Sequence, residues 1–119
     1  RQATIPTKAG EITVLANHMP LVSLLSSGEM RVKKDDGEEV AFAVSNGVVE
    51  VRPGGKLYIL TDFAERASEI DLEAAEAARK RAEDMLLEAD KLSKEDFAHF
   101  ESLLARELAR IKVSRRWRG

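Results

Sequence analysis

KLYILTDFAERASEIDLEAAEAARKRAED, residues 56–84, changes its rules in the middle. Its first six residues, KLYILT, follow an Arg52-Pro53-Gly54-Gly55 turn signal and read as a strand. From Asp71 the apolar positions return on a 3.6-residue period instead: Leu72, Ala75, Ala78, Ala82, Met85, Leu86 and Ala89 fall on one helical stripe. The break predicts a fold of two parts, an antiparallel β-sandwich over residues 1–66 and an antiparallel α-helical hairpin with a basic tail over residues 67–119.

Working back toward the N-terminus, short apolar runs alternate with turn residues. Residues 11–16 (EITVLA) and 21–25 (LVSLL) read as strands separated by Asn17, His18 and Pro20. Met30 and Val32 alternate with Glu29, Arg31 and Lys33, a pattern for a strand with one wet face. Asp36-Gly37 predicts a tight hairpin turn with positive φ angles. Val40, Phe42 and Val44 then share one face and Ala41 and Ala43 the other, so this strand belongs inside a sandwich rather than at its edge. Asn46-Gly47 turns the chain again before Val48 to Val51, and turns at this spacing are those of an all-β sandwich or barrel.

Working forward, Asp71 or Ser68 is placed to cap a helix running to about Lys91, and Ser93-Lys94-Glu95-Asp96 resembles a capping box for a second helix to about Val113. Phe97, Phe100, Leu104, Leu108 and Ile111 lie on one face of that second helix. Each helix would be roughly 30 Å long, and the short link makes them antiparallel neighbours. The first helix offers mostly alanine methyls, each worth only about 0.8 kcal/mol on burial against about 1.5–3 for a Leu or Phe. Pairs such as Glu76–Lys80 support the helix itself, so the arm should be stably helical but marginally attached, and marginal elements are the ones that move.

Composition removes several function classes. The 119-residue chain has a formal net charge of −2 and no Cys, so disulfides, thiol chemistry and Cys–zinc sites are excluded and a reducing cytosol fits. Residue 1 is Arg rather than Met, which points to a fragment or a processed chain; no apolar run has the length of a membrane span, and no signal peptide is visible. His18 and His99 are the only histidines and no nucleophile or metal-ligand spacing accompanies them, so an accessory protein is expected rather than an enzyme. His18 reads as an exposed turn residue and His99 as a surface partner of Glu95. Charge is uneven, however: residues 110–118 hold five Lys/Arg and no acid. Arg106 and Arg110 stand at i,i+4, where like charges repel, and the helical wheel turns them away from the Phe97–Leu104–Ile111 stripe toward an external acidic surface or plain solvent. Arg115-Arg116-Trp117-Arg118 fits either a phosphate-binding arm with a stacking Trp or a frayed terminus.

Three stretches taken in order, GEITVLANHMPLVSLLSSGEMRV (10–32), VSNGVVEVRPGGKLYILTD (44–62) and ERASEIDLEAAEAARKRAE (65–83), resemble the epsilon subunit of the F-type ATP synthase. The resemblance rests on a Gly-Glu-Ile segment, a His-x-Pro-Leu loop, a valine strand with Pro-Gly and an acidic-alanine helix start, and it covers nearly the whole chain. It implies a non-catalytic rotor subunit on the central stalk, bound to the gamma subunit, seated on the c-ring, and able to extend its hairpin toward the catalytic beta subunits to restrain ATP hydrolysis. By the same resemblance Glu11 and His18 face the c-ring, and Arg106, Arg110, Lys112, Arg115 and Arg116 approach a beta subunit. The implied location is the cytoplasmic face of the plasma membrane, reached only through the complex.

Some members of that family bind ATP through Ile/Leu-Asp-x-x-Arg-Ala, and Glu65, Ile70, Asp71, Arg81, Arg106 and Arg110 stand where such contacts fall. Here the motif reads Ile70-Asp71-Leu72-Glu73-Ala74-Ala75, so Ala74 replaces its arginine. Losing charge-assisted bonds of about 1.5–3 kcal/mol each weakens the expectation of a nucleotide, and no cofactor is expected. Two alternative functions remain, an ATP-sensing module on the same scaffold and a small nucleic-acid-binding protein that uses the basic tail; nucleic acid is not expected as a partner. The family sandwich also begins with strands upstream of the Gly-Glu segment, whereas only residues 1–7 precede it here, which predicts a fragment or an incomplete sandwich with an unpaired edge.

Overall fold

In the computed structural model, residues 2–15 and 19–117 are described. Eight strands precede two helices: β1 (Gln2–Thr7), β2 (Gly10–Leu15), β3 (Leu21–Leu25), β4 (Gly28–Lys33), β5 (Glu39–Val44), β6 (Gly47–Arg52), β7 (Lys56–Thr61), β8 (Ala64–Arg66), α1 (Leu72–Leu86) and α2 (Lys94–Trp117). All pairings are antiparallel, in the order β7-β6-β3-β1-β4-β5-β8, with β2 paired to β1. The predicted sandwich followed by a helical hairpin is therefore the observed architecture.

Two strands escaped the sequence reading. β1 lies in the segment expected to leave the sandwich incomplete, yet it pairs with β2 along its whole length and with β4 and β3 as well. Its Ala3 and Ile5 are buried in the main core beside Val14, Leu25, Met30, Val44, Val49 and Val51. β8 is three residues long, pairs with β5 and follows KLYILT as the last strand.

Local chemistry explains the joints. The β4–β5 connection is not a two-residue turn: Gly37 alone has positive φ, its N–H donates to the Lys34 carbonyl at 2.9 Å, and Lys34 N–H donates to the Glu38 carbonyl at 2.8 Å. That geometry is a type I turn closed by a glycine bulge. At Gly47, where the chain passes from β5 to β6, a methyl group would overlap the backbone carbonyl of Leu60 on β7. Glycine is required there for close approach, not for an unusual φ.

Asp71 caps α1 by accepting from Ala74 N–H at 3.1 Å, and Ser93 Oγ accepts from Asp96 N–H at 3.0 Å at the start of α2. α1 ends at Leu86 rather than near Lys91, and α2 continues to Trp117 rather than stopping near Val113. The Glu76–Lys80 pair does not form: Glu76 takes Arg115 at 2.6 Å and Lys80 takes Asp84 at 3.7 Å. His99 packs edge-on to Phe100, with ring centroids 5.3 Å apart, rather than pairing with Glu95.

The arm is attached through α2, which lies on β4 and β5 while α1 packs on α2. β5 is apolar on both faces because one face meets the sandwich core and the other meets this helix. Ala41 and Ala43 present that outer face, and with no side chain beyond Cβ they let Ala109 and Val113 pack closely, joined by Ile70, Phe63, Ala67 and Trp117. Ala75 and Ala82 of α1 are fully buried, but the hairpin tip is not, with Leu87 84% exposed. Leu108, expected on the apolar stripe, is also exposed.

Candidate functional site

Two small polar clusters sit in the seam between the sandwich and α2. In the first, Glu107 is completely buried on α2 and accepts from Arg106 Nε at 2.9 Å and Arg110 Nη1 at 2.7 Å. Arg110 also donates from Nε to Oε1 of Glu65 on β8 at 2.8 Å, which ties helix to strand. Both guanidinium groups lie over the Phe63 ring, 5.2 and 5.9 Å from its centroid. Burial alone would lower the Arg110 pKa, but hydrogen bonds to Glu107 and Glu65 outweigh it and hold the group above its ordinary value, so it remains charged.

The second cluster surrounds Glu29 on β4, whose side chain is 3% exposed. It accepts from Arg31 Nη1 at 2.7 Å, from Trp117 Nε1 at 2.7 Å and from Arg116 Nη1 at 3.2 Å. Burial pushes its carboxyl up, while these donors and the charges of Arg116 and Arg31 pull it further down, leaving it below the ordinary value of 4.5. Arg31 lies between two carboxylates, since Glu11 Oε1 is 3.6 Å from its Nη2. The strand pattern had placed Glu29 on a wet face; the end of α2 covers that end of the strand.

Of the residues expected around a nucleotide, the structure unites Glu65, Arg106 and Arg110. Ile70 is buried against Ala109 and Val113 beside them. Asp71 spends a carboxylate oxygen on the α1 cap. Arg81 is exposed and lines a different hollow of about 390 Å³ with Ala78, Met85, Phe100 and Leu103.

Of the residues expected to reach a beta subunit, Lys112 is exposed and Arg115 is engaged with Glu76. The outward orientation of the pair at 106 and 110 is corrected. Both do turn away from the Phe97–Ile111 stripe, but α2 buries two faces, and the face carrying Arg110, Ala109 and Val113 rests on the sandwich. Arg116 and Trp117 are likewise seated on Glu29, so the tail through Trp117 is neither frayed nor presenting its indole for stacking. Glu11 is exposed at the start of β2; His18 lies outside the described residues.

A third feature is apolar. Val22 and Leu24 of β3 and Tyr58 and Leu60 of β7 flank Val48 and Glu50 of β6, in the register Val22–Glu50–Tyr58 and Leu24–Val48–Leu60. Val22, Leu24 and Leu60 are 58–69% exposed. Glu50 and Arg52, which stacks on the Tyr58 ring, interrupt this apolar patch on the outer sheet face. Among the described residues no group of His, Asp and Glu is arranged to hold a metal, and no helix is long and apolar enough to cross a membrane.

The same division into a β-sandwich and a helical arm is found in the family models that the chain matches. Residues 1–67 match the family model of the ATP synthase delta/epsilon chain β-sandwich domain, and residues 68–115 match that of its long α-helix domain. The ATP synthase epsilon chain of Alkalilimnicola ehrlichii is 39% identical over 113 residues, covering 95% of this chain and 79% of that one. That of Brevibacillus brevis is 45% identical over 106 residues, covering 89% and 78%. A chain in the cryo-EM structure of the Euglena gracilis mitochondrial ATP synthase, OSCP/F1/c-ring in rotational state 1, superposes with a TM-score of 0.74 at 27% identity, over 91% of this chain and 66% of that one. The chain belongs to the ATP synthase epsilon-chain family.

Proposed function

We propose that the chain is a non-catalytic rotor subunit of the central stalk of an F-type ATP synthase, and that its helical arm restrains ATP hydrolysis after leaving the sandwich. The observation that carries this reading is the chemistry of the seam. Alanine methyls and satisfied ion pairs hold α2, together with Ile70, Phe63, Val113 and Trp117. The ionic part of that surface regains hydration when it opens, and a buried ion pair commonly stabilises no more than packed apolar residues of the same volume, so the seam holds less tightly than a wholly apolar one. The arm is therefore suited to release, and once released it carries Arg106, Arg110, Lys112, Arg115 and Arg116 as a basic helix for a beta subunit.

On this reading the Val22–Leu24–Tyr58–Leu60 face docks the gamma subunit, and the β2 edge with Glu11 and the loop holding His18 contact the c-ring. The protein then sits at the cytoplasmic face of the plasma membrane through the complex. Copurification with gamma tests the stalk assignment: a stable one-to-one complex supports it, and failure to bind gamma contradicts it.

A second reading is favoured by the convergence of Glu65, Arg106 and Arg110 beside Phe63, which makes the seam an ATP sensor. Against it, Glu65 and Glu107 already satisfy both arginines, Ala74 stands in the motif's arginine position, and Arg81 is directed elsewhere. We therefore take the arm to be held without nucleotide. A calorimetric titration with ATP separates the two: no heat at millimolar ATP supports the first, and saturable binding lost in Asp71→Ala supports the sensor.

A further inference from the structure

Glu29 is the junction of a chain of alternating charge that runs from β2 through β4 to the end of α2. Glu11 stands exposed at the start of β2, Arg31 lies 3.6 Å from it, and Arg31 donates to Glu29 at 2.7 Å. Glu29 in turn holds Arg116 and Trp117, which are 87 and 88 positions away in sequence and occupy the last described turn of α2. A buried carboxylate with charge-assisted donors makes the stronger kind of hydrogen bond and fixes its partners in orientation. Two of those three donors disappear if the arm lifts.

We propose that Glu29 is the latch holding the C-terminal turn of the arm on the sandwich, and that Glu11 is the surface input to this latch, acting through Arg31. With Glu11 free, its charge balances Arg31 and leaves Glu29 to attract Arg116. A basic side chain of a partner that pairs with Glu11 cancels that balance. Arg31 and Arg116 then repel each other across a single carboxylate, and the hold on the arm weakens. A contact at the edge of the sandwich is thereby transmitted to the arm without any change of fold, as a coupling free energy between two sites. The latch stands on the geometry alone; only the identity of Glu11 as an outward contact rests on the stalk reading above.

Trp117 is the chain's only tryptophan, so the fluorescence of the full chain reports directly on the latch. Glu29→Gln should red-shift the emission and speed amide exchange over residues 109–117 about tenfold, with the sheet amides unchanged. Trp117→Phe keeps an aromatic ring against the alanine-rich seam cluster and removes the indole donor; it should speed exchange over 109–116 and covers the case in which Glu29→Gln does not fold. Glu11→Lys should raise exchange roughly two- to fivefold when Arg31 is present and have no effect in an Arg31→Gln background. Exchange unchanged from wild type in both Glu29→Gln and Trp117→Phe would overturn the latch. An equal response to Glu11→Lys with and without Arg31 would overturn the input. None of these readouts uses ATPase activity, so failure here is distinct from failure of the stalk reading.

Discussion

Arg110 of α2 and Glu65 of β8 are 45 positions apart in sequence and joined by a 2.8 Å hydrogen bond between Nε and Oε1. The same guanidinium neutralises the fully buried Glu107, so one side chain both closes the seam and satisfies a charge that the helix could not otherwise bury. Arg110→Ala should destabilise the closed arm by about 2–3 kcal/mol, because Glu107 is left with Arg106 alone. Amide exchange should locate the loss in α2 and α1, with the sheet unaffected.

Acid should open the same seam from its other end. Glu29 titrates below its ordinary value of 4.5 when folded, so its contribution is fully present above that value and is lost as pH falls through the depressed one. The groups facing it are Arg31 on its own strand, Arg116 and Trp117 on α2, and Glu11 beyond Arg31; none of these donors loses its proton in the acid range. Trp117 emission should therefore be flat from pH 6 to 8 and shift to the red only below about pH 4.5, and Glu29→Gln should abolish the transition.

Gly47→Ala should cost about 3 kcal/mol in urea unfolding, since its new methyl meets the fixed backbone carbonyl of Leu60 rather than a side chain that can turn aside. Gly10→Ala has open space around the added methyl and a strained positive φ only, and should cost less.

Leu60→Glu places a charge on the β7 edge of the exposed apolar face. Because Leu60 is 69% exposed, the sandwich should keep its stability to within about 0.5 kcal/mol. Copurification with gamma should be lost, and an undiminished complex would remove this face as the docking surface.

Much of this architecture could be read from residue patterns. The strands at 21–25 and 56–61 and the caps at Asp71 and Ser93 follow from alternation and from local hydrogen-bonding chemistry, and the structure reproduces them. β8 was not readable, because a three-residue strand has no period and exists only through its long-range pairing with β5. β1 was obscured by Pro6 and by two threonines whose burial depends on strands far along the chain. In α2 a wheel centred on the aromatic stripe finds one buried face, while the second consists of alanine, valine and an arginine and becomes apolar only in partnership with Ala41 and Ala43. Glu107 left no trace, since Leu108 fills the stripe position between Leu104 and Ile111. Glu29 left none, because a carboxylate on a half-wet strand looks the same whether water or Trp117 covers it.

If the seated arm is a releasable brake, ATP hydrolysis by the assembled complex depends on it. With residues 92–119 removed, the complex should hydrolyse ATP faster than one carrying the intact chain at equal subunit content; an unchanged rate would show that the arm is no brake.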